Sequence, residues 1–545
     1  MKRFIINSLA LSITCLSLAG CNKGSVNTEG SKIHLEAEEE QNNVLRILNC
    51  EDYIYEKDVT DPESEEGLLD QFVEYIKETE EGREIEVIYD TFDTNETMFN
   101  ELKTGKTTYD IIVPSDYMIQ KLITLDMLEK IDPSIAMPNY DAYGSPYVKN
   151  IFEGITAVNN VTNTTEKLSD YTVAYMWGTV GLVYNPTYYK YQERGYDEDK
   201  IHEDFLDFET SLYNEDYKNT ISIKDSVRDV YAVSVIHVYQ EEILSYQEKL
   251  DNGEITVEQY QFKLDEIFNR NDNDTIAKVQ ADLLKLKDNA FGFEVDSGKN
   301  DIVTGKIGGN IAWSGDAVYA IELGEAETLD DEDETEKEAI ELYYSIPKIG
   351  SNIWFDGMCM PKSNSLNKEL AQKFMDFLYS PDKAALNMDG TGYTPGVAGD
   401  AMLNQIYDYY DVRGVDEEGE RVLDVDPSWV EDEDYIKYDL SYFFEGTIDN
   451  IEEAILYADP DSVGRGLTAQ FPEKELLPYL AVMKDFGSQN TAILDMWEIV
   501  KTNYLPVWGI ILFSLEGAVA VGAIVYFGVT KAQKKNLRKK RKEAK

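Results

Sequence analysis

Apolar residues in the first part of the chain follow two alternating patterns. Short apolar runs such as Val44–Cys50 and 85–89 have the length and composition of buried strands. Residues 62–81 instead carry apolar side chains at helical spacing, and a second helix is predicted over about 93–104. Strands that alternate with helices predict an α/β fold with a largely parallel sheet.

Three later segments extend this picture. The apolar stretch 171–186 is predicted to pass from one lobe to the next. Residues 239–285 are rich in Glu, Lys, Gln and Leu, and predict a helical hairpin on the second lobe, broken at residues 251–253. Residues 399–470 contain many Tyr and acidic residues, and their pattern indicates no function. A chain of 545 residues is expected to form two lobes with additional segments.

Polar and aromatic side chains directly follow two of the predicted strands. The first strand leads into Glu51, Asp52 and Tyr53, and a later one leads into Ser115 and Tyr117. In open α/β sheets, ligands bind at the carboxyl ends of the strands. These side chains are therefore candidates for one binding site.

The strand-like stretch 352–361 adds a further pair. Trp354 and Asp356 are two residues apart, so an extended chain places them on the same face. An aromatic face beside an anion suits an organic ammonium group. A buried tryptophan next to a solvated carboxylate is the alternative interpretation.

The composition is strongly acidic, with 104 Asp and Glu against 50 Lys and Arg and a net charge of -54. Such a surface repels nucleic acid, so nucleic acid is excluded as a partner. It either attracts a cationic ligand or only keeps the protein soluble. Cys50 and Cys359 are expected to be free thiols in preference to a disulfide. The spacing of Cys and His predicts no metal site, and no cofactor is expected.

The amino-terminal residues are typical of an exported protein. Residues 1–20 form a basic start followed by a short apolar segment, as in a secretory signal peptide. The segment 18–21 resembles the bacterial lipoprotein box, which implies lipidation of Cys21. Residues 21–43 are polar and predict a flexible tether.

The carboxyl-terminal residues predict a membrane segment. Residues 506–530 are apolar apart from Glu516 and are long enough for a transmembrane helix. The basic tail 531–545 is then expected in the cytoplasm, which places the body on the extracytoplasmic face of the membrane. Glu516 indicates a partner helix or is tolerated through protonation or water access.

The chain also carries eight short motifs in a particular order: 49–53, 95–98, 113–117, 177–179, 225–229, 311–315, 354–356 and 392–395. Their order resembles that of the extracytoplasmic spermidine/putrescine-binding proteins of ABC importers. The match extends over about residues 44–396, with a weaker match at 471–501. This resemblance implies two α/β lobes, joined by crossing strands, that close over a polyamine.

The resemblance also implies the roles of individual residues. Aromatic side chains would sandwich the methylene groups of the polyamine, and these are Tyr53, Tyr117, Trp313, Trp354 and Tyr393. Carboxylates would hold its amino groups, led by Asp356 and Asp229, with Asp225 as a further candidate. On the first lobe, Glu51, Asp52 and the Ser115 hydroxyl would contribute.

Three positions depart from the family pattern. Cys50 replaces a tryptophan, and Ser226 stands where a carboxylate is usual, with Asp225 beside it. Met483 replaces a polar residue. These departures affect the identity of the ligand more than its class.

The sequence thus predicts an α/β, two-lobed, periplasmic-binding-protein-like fold with hinge strands and a C-terminal transmembrane helix. The first lobe would comprise 44–177 and 355–398, and the second 178–354 and 399–500. The chain is expected to deliver a polyamine to an ABC permease and not to be an enzyme, because no nucleophile and base pair stands out. The alternatives are a receptor for another organic cation or small solute, a membrane-anchored scaffold protein and, third, a hydrolase that uses paired carboxylates.

Overall fold

The computed structural model describes residues 43–60, 64–105, 107–191, 197–329, 340–363, 366–415, 421–422 and 435–502. The strands are β1 (Val44–Cys50), β2 (Glu86–Phe92), β3 (Ile111–Ile112), β4 (Leu128–Glu129), β5 (Thr156–Asn159), β6 (Thr164–Lys167), β7 (Thr172–Tyr184), β8 (Ile221–Lys224), β9 (Gly292–Glu294), β10 (Gly309–Trp313), β11 (Tyr343–Ser345), β12 (Ser351–Pro361), β13 (Thr394–Pro395), β14 (Gly414–Val415), β15 (Arg421–Val422), β16 (Ile436–Asp439), β17 (Ile455–Ala458) and β18 (Leu480–Ala481).

The helices are α1 (Leu68–Thr79), α2 (Asn95–Thr104), α3 (Asp116–Thr124), α4 (Pro138–Tyr143), α5 (Pro146–Gly154), α6 (Pro186–Tyr191), α7 (Glu198–Asp204), α8 (Phe208–Ser211), α9 (Val227–Val238), α10 (Gln240–Asp251), α11 (Val257–Phe268), α12 (Asn273–Asn289), α13 (Gly298–Val303), α14 (Ser314–Leu329), α15 (Lys368–Leu378), α16 (Pro381–Thr391), α17 (Asp400–Tyr410), α18 (Ser441–Phe444), α19 (Pro460–Ser462), α20 (Thr468–Gln470) and α21 (Asn490–Lys501). Short helical turns lie at Leu168–Asp170, Glu215–Tyr217, Ile451–Ala454, Val463–Leu467, Leu477–Tyr479 and Gly487–Gln489.

The main sheet joins two lobes and runs in the order β2-β1-β3-β12-β7-β10-β8-β9. In the first lobe β1 pairs in parallel with β2 and β3, and in the second lobe β8 pairs in parallel with β9 and β10. The antiparallel strands β7 and β12 run through both lobes, and every one of their residues is buried. This is the pattern of strands covered on both faces, and it confirms the predicted α/β fold with crossing strands.

The crossing strand β12 is irregular where it carries the predicted carboxylate. Its register against β7 shifts between Phe355 and Gly357. Asp356 forms an isolated bridge with Ser115 of the first lobe instead. Because a bulge redirects the side chain that it carries, this irregularity determines where the Asp356 carboxylate points.

The predicted helical segment at 239–285 is confirmed, with one more helix than a hairpin. The chain between α10 and α11 turns at Gly253, whose φ of 69° is a left-handed conformation that glycine adopts readily. The third helix, α12, packs against α9 and α21 of the second lobe. The segment is therefore a three-helix unit.

The tyrosine-rich segment 399–470 contacts both lobes. Its helix α18 packs on α5 of the first lobe, whereas Arg465 donates a hydrogen bond of 2.9 Å to the Leu342 carbonyl in the second lobe. Phe443 stacks against Trp177 of β7 with ring centroids 5.6 Å apart. The segment thus covers part of a crossing strand, which is a structural role that its sequence pattern does not indicate.

The fold bears on the predicted state of the cysteines and on the predicted transmembrane helix. Cys50 and Cys359 are both free thiols, as expected. The predicted C-terminal transmembrane helix is corrected, because no helix within the described ranges is long and apolar enough to cross a membrane. The longest of them, α12, has 17 residues and carries charges along its length, whereas a span needs about 20 mostly apolar residues.

This correction applies to the fold class and to the predicted membrane-spanning location alike. The fold is two-lobed α/β, and none of the helices in the ranges given above could span a membrane. Segment 506–530, Glu516, the leader 1–20 with its tether, Cys21 and the tail 531–545 lie outside the described residues.

Candidate ligand-binding cleft

A cleft of about 320 Å³ lies between the two lobes. The structure brings all eleven predicted binding residues to its surface: Glu51, Asp52, Tyr53, Ser115, Tyr117, Asp225, Asp229, Trp313, Trp354, Asp356 and Tyr393. Glu51 and Tyr393 are 342 positions apart in the chain, so the crossing strands and strand ends are what place these residues together. Their roles in binding remain predictions.

The crossing strand β12 presents Asp356 to the cleft. Only 7% of this residue is exposed. Tyr53 donates a hydrogen bond of 2.7 Å to Oδ2, while Oδ1 is buried and has no hydrogen-bond partner among the described residues. Burial raises the pKa of Asp356 to about 6, with a contribution from Asp229, against the opposing effects of Ser115 and Tyr53. Asp356 is therefore a buried carboxylate: Tyr53 donates a hydrogen bond to one oxygen, Ser115 lies beside the carboxyl group, and the other oxygen has no hydrogen-bond partner among the described residues.

Three aromatic rings stand beside Asp356 and form an aromatic wall, which comprises Tyr53, Trp354 and Tyr393. The rings of Tyr53 and Tyr393 meet edge to face at 4.9 Å, and those of Trp354 and Tyr393 at 5.8 Å. All three residues are buried. Such rings offer apolar faces to methylene groups and negative π faces to cations.

Glycines make room for the aromatic wall. A Cβ on Gly178 of β7 would lie 2.7 Å from Cζ2 of Trp354, and a Cβ on Gly315 would lie 2.2 Å from the Tyr393 ring. Real Cβ atoms do not approach other atoms so closely, so any larger residue would displace the rings. The glycines of motifs 177–179 and 311–315 are thus explained locally, because a residue with a Cβ would collide with these rings.

The second lobe contributes Asp229, from the first turn of α9, and Trp313, from the end of β10. Trp313 Nε1 donates a hydrogen bond of 3.2 Å to Asp229 Oδ2. Burial raises the pKa of Asp229, although Ser226, Trp313 and Lys224 act in the opposite direction. Both lobes therefore direct a carboxylate with a raised pKa into one cleft.

On the first lobe, Asn95 holds the Ser115 segment in place. Asn95 Nδ2 donates to Ser115 Oγ at 3.0 Å, and Asn95 Oδ1 accepts from the Ser115 backbone N–H at 3.0 Å. Tyr117 follows on α3, and its hydroxyl lies 3.5 Å from Glu96. The guanidinium of Arg228 covers the Tyr117 ring at 3.9 Å. Tyr117 therefore contacts a cation of the protein itself.

Sequence reasoning missed the basic side chains of the cleft. The lining contains eleven carboxylates and four basic residues, and each base pairs with a carboxylate. Lys299 lies 3.3 Å from Asp52 and so links the lobes, and Lys501 lies 3.2 Å from Asp225. Two of the predicted ammonium ligands, Asp52 and Asp225, are thus already engaged within the protein.

The other two bases are buried. Lys224 pairs with Asp316 at 2.7 Å, and Arg228 lies 3.5 Å from Asp485. Asp316 was also missed by sequence reasoning. Its position soon after the end of β10 is a signal that could have found it, because Asp52 lies in the same way after the end of β1. The bases reduce the negative charge of the cleft without cancelling it.

The fold and the cleft together define a class of protein. Two α/β lobes joined by antiparallel crossing strands, with a buried interlobe cleft, form the architecture of a receptor that encloses a small solute. The chain matches the family model of the bacterial extracellular solute-binding proteins over residues 71–404, more than half of its length, and it belongs to this family. Because that family consists of binding proteins, the chain is not an enzyme.

Individual relatives agree with this assignment. A spermidine/putrescine-binding periplasmic protein of Salmonella typhimurium is 28% identical over 340 residues, which cover 62% of this chain and 76% of the relative. Its counterpart in Escherichia coli is 26% identical over 370 residues and covers 68% and 82%. A solved structure from Listeria monocytogenes, assigned to a spermidine/putrescine ABC transporter, has a similar fold. The TM-score is 0.52 at 21% identity, over 84% of this chain and 99% of that one.

Proposed function

We propose that this chain is the polyamine receptor of an ABC importer and binds its ligand in the interlobe cleft. The observation that carries the proposal is Asp356, a buried carboxylate that lies beside three aromatic rings and has one oxygen without a hydrogen-bond partner in the described part of the chain. No basic side chain of the described part of the chain is among the groups that shift its pKa. A buried anion without a counter-cation is costly, and a ligand ammonium group would relieve that cost.

The chemistry of a polyamine fits the rest of the cleft. Its methylene groups need flat apolar surfaces, which Tyr53, Trp354 and Tyr393 offer, and a second nitrogen needs a second anion, for which Asp229 is available. Each charge-assisted hydrogen bond contributes about 1.5 to 3 kcal/mol, and each cation-π contact about 0.5 to 2 kcal/mol. The net charge of -54 draws cations to the protein. The relatives from Salmonella typhimurium and Escherichia coli are named for binding the same ligand class.

The proposed cycle uses the two lobes. A polyamine enters the open cleft, the lobes rotate about β7 and β12, and the closed form presents the ligand to a permease. Lipidation at Cys21 would keep the receptor outside the cell beside that permease, on the side where the relatives named periplasmic proteins work.

Titration calorimetry on the purified full-length chain tests the ligand class. The protein is dialysed exhaustively, and then titrated with putrescine, spermidine and a neutral diol of similar length. Asp356→Asn removes the charge at the proposed ligand, while Asp376→Asn is a matched control. Asp376 is an equally buried carboxylate outside the cleft, and its Oδ1 accepts hydrogen bonds from backbone N–H groups.

We expect saturable one-to-one binding of an amine and no heat from the diol. Asp356→Asn should weaken amine binding by a factor of about ten to a hundred, the value of one charge-assisted hydrogen bond, and Asp376→Asn should leave it unchanged. A folded wild-type chain that binds neither amine, or equal losses in both variants, would reject the proposal.

A further inference from the structure

Lys224 is the most buried base of the cleft, with 1% of the residue exposed. It ends strand β8, so its side chain enters the cleft from the second lobe. Its ammonium group donates hydrogen bonds to Asp316 Oδ2 at 2.7 Å and to the Val295 carbonyl at 2.9 Å, and lies 3.4 Å from Glu294 Oε1. Asp316 and Val295 therefore take two of the three donors of the ammonium group, and Glu294 adds an ion pair.

The same ammonium group also lies over an aromatic ring. Its Nζ is 4.5 Å from the centroid of Trp313, within the range of a cation-π contact. Burial alone would lower the pKa of Lys224, but Asp316 and Glu294 outweigh it, and the pKa is raised. Lys224 is therefore charged, and it has the partners that a ligand ammonium group would seek: an aromatic face and a carboxylate.

The Lys224 position and the Asp356 position flank the same pair of rings. Tyr53 donates to Asp356, and Tyr393, whose ring is 4.9 Å from that of Tyr53, donates a hydrogen bond of 2.7 Å to Asp316 Oδ1. Both oxygens of Asp316 thus have partners within the protein, whereas Oδ1 of Asp356 has none among the described residues. Asp356 and Asp316 therefore both border these rings, and Lys224 of the chain itself neutralises Asp316.

We propose that Lys224 determines the length of the ligand. Its ammonium group occupies the place beside Trp313 and Asp316 where an additional nitrogen of a longer polyamine would bind, and so restricts the cleft to a short diamine. This inference rests on the proposed function, and it narrows the ligand class from polyamines in general to diamines.

Titration of the full-length chain with putrescine and spermidine tests the inference. Lys224→Met keeps the apolar stem and removes the charge, which releases Asp316 for a ligand nitrogen. The double variant Lys224→Met with Asp316→Asn removes both charges, so that no carboxylate remains at position 316 while Glu294 is kept. Lys306→Met serves as a matched control, because Lys306 forms an exposed ion pair with Asp301 and does not line the cleft.

The wild type and the Lys306→Met variant should prefer putrescine. Lys224→Met should raise the affinity for spermidine relative to putrescine by about tenfold or more, the effect of one additional charge-assisted hydrogen bond. The double variant should show no such gain. If Lys224 had a purely structural role, Lys224→Met would weaken the binding of putrescine and of spermidine together and leave the ratio of the two affinities unchanged.

An unchanged ratio in a folded Lys224→Met variant would overturn the inference. So would a wild type that binds spermidine at least as tightly as putrescine, a result that decides the question even if Lys224→Met does not fold. These outcomes differ from failure of the proposed function, in which the wild type binds neither amine.

Discussion

Replacement of Asp356 by asparagine should stabilise the unliganded protein while it weakens ligand binding. Asp356 is buried, and its pKa is raised to about 6 because burial disfavours its charge. Asparagine keeps the shape of the side chain and an oxygen that can accept the hydrogen bond from Tyr53. The variant therefore removes an electrostatic cost that only the ionised wild type bears.

The pKa determines the size and the pH dependence of this effect. A pKa of about 6 against the ordinary 3.8 corresponds to about 3 kcal/mol of lost stability once Asp356 is ionised. Because the folded state holds the proton more tightly, the wild-type free energy of unfolding decreases as the pH rises from about 3.8 to about 6. The variant escapes this loss, so its advantage should be about half as large at about pH 5 as at about pH 7.5.

Urea unfolding of the purified full-length chain, followed by tryptophan fluorescence, measures the effect at both pH values. Asp225→Asn is a suitable control, because it gives up the ion pair of 3.2 Å with Lys501 at a partly exposed position and should gain no stability. If Asp356→Asn were no more stable than the wild type at the higher pH, or if its gain did not shrink at the lower pH, Asp356 would not be an uncompensated buried charge.

Amine affinity should also respond to the aromatic wall, to pH and to the space behind the rings. Trp354→Leu should weaken amine binding by about threefold to thirtyfold through loss of a cation-π contact, and Trp354→Phe should retain most of it; equal calorimetric losses would contradict this. Below about pH 6 the wild-type affinity should fall, by up to about tenfold per pH unit, because protonated Asp356 cannot pair with an ammonium group; titrations across pH should show a shallower fall for Asp356→Asn. Gly315→Ala should displace the Tyr393 ring and reduce affinity, whereas Gly154→Ala, whose Cβ meets no atom within 4 Å, should not; equal affinities in both variants would refute the packing argument.

The parts of the site that depend on strand order could be predicted from sequence. Glu51, Asp52 and Tyr53 follow β1 directly, and in parallel sheets such ends meet at one edge. Trp354 and Asp356 were found from their spacing in an extended run. Trp313 and Tyr393 came from the resemblance to a family, because an isolated aromatic residue in a strand or loop does not show whether it faces a core or a cleft.

The pairing of charges could not be predicted in this way. Lys299 meets Asp52 across the two lobes, 247 positions apart in the chain, and Arg228 lies between the rings of Tyr117 and Phe486. Such contacts depend on how helices dock on the sheet, which local periodicity does not specify. Only the three-dimensional structure therefore shows which of the carboxylates predicted as ligands are already paired with basic side chains of the protein.

The segment 399–470 illustrates a second limit. Its many tyrosines gave no functional signal, and the structure uses some of them as packing. Tyr438, for example, is buried and donates a hydrogen bond to the Phe471 carbonyl. A tyrosine-rich stretch can cover a crossing strand as well as it can bind a ligand, and only the fold distinguishes these roles.

The most direct test of the central claim is a crystal structure of the chain with putrescine. The account predicts a closed cleft in which one ligand nitrogen lies within hydrogen-bonding distance of Asp356 Oδ1, with the methylene groups against Trp354 and Tyr393 and the other nitrogen near Asp229. Ligand density elsewhere, or in the cleft without a contact to Asp356, would contradict the account.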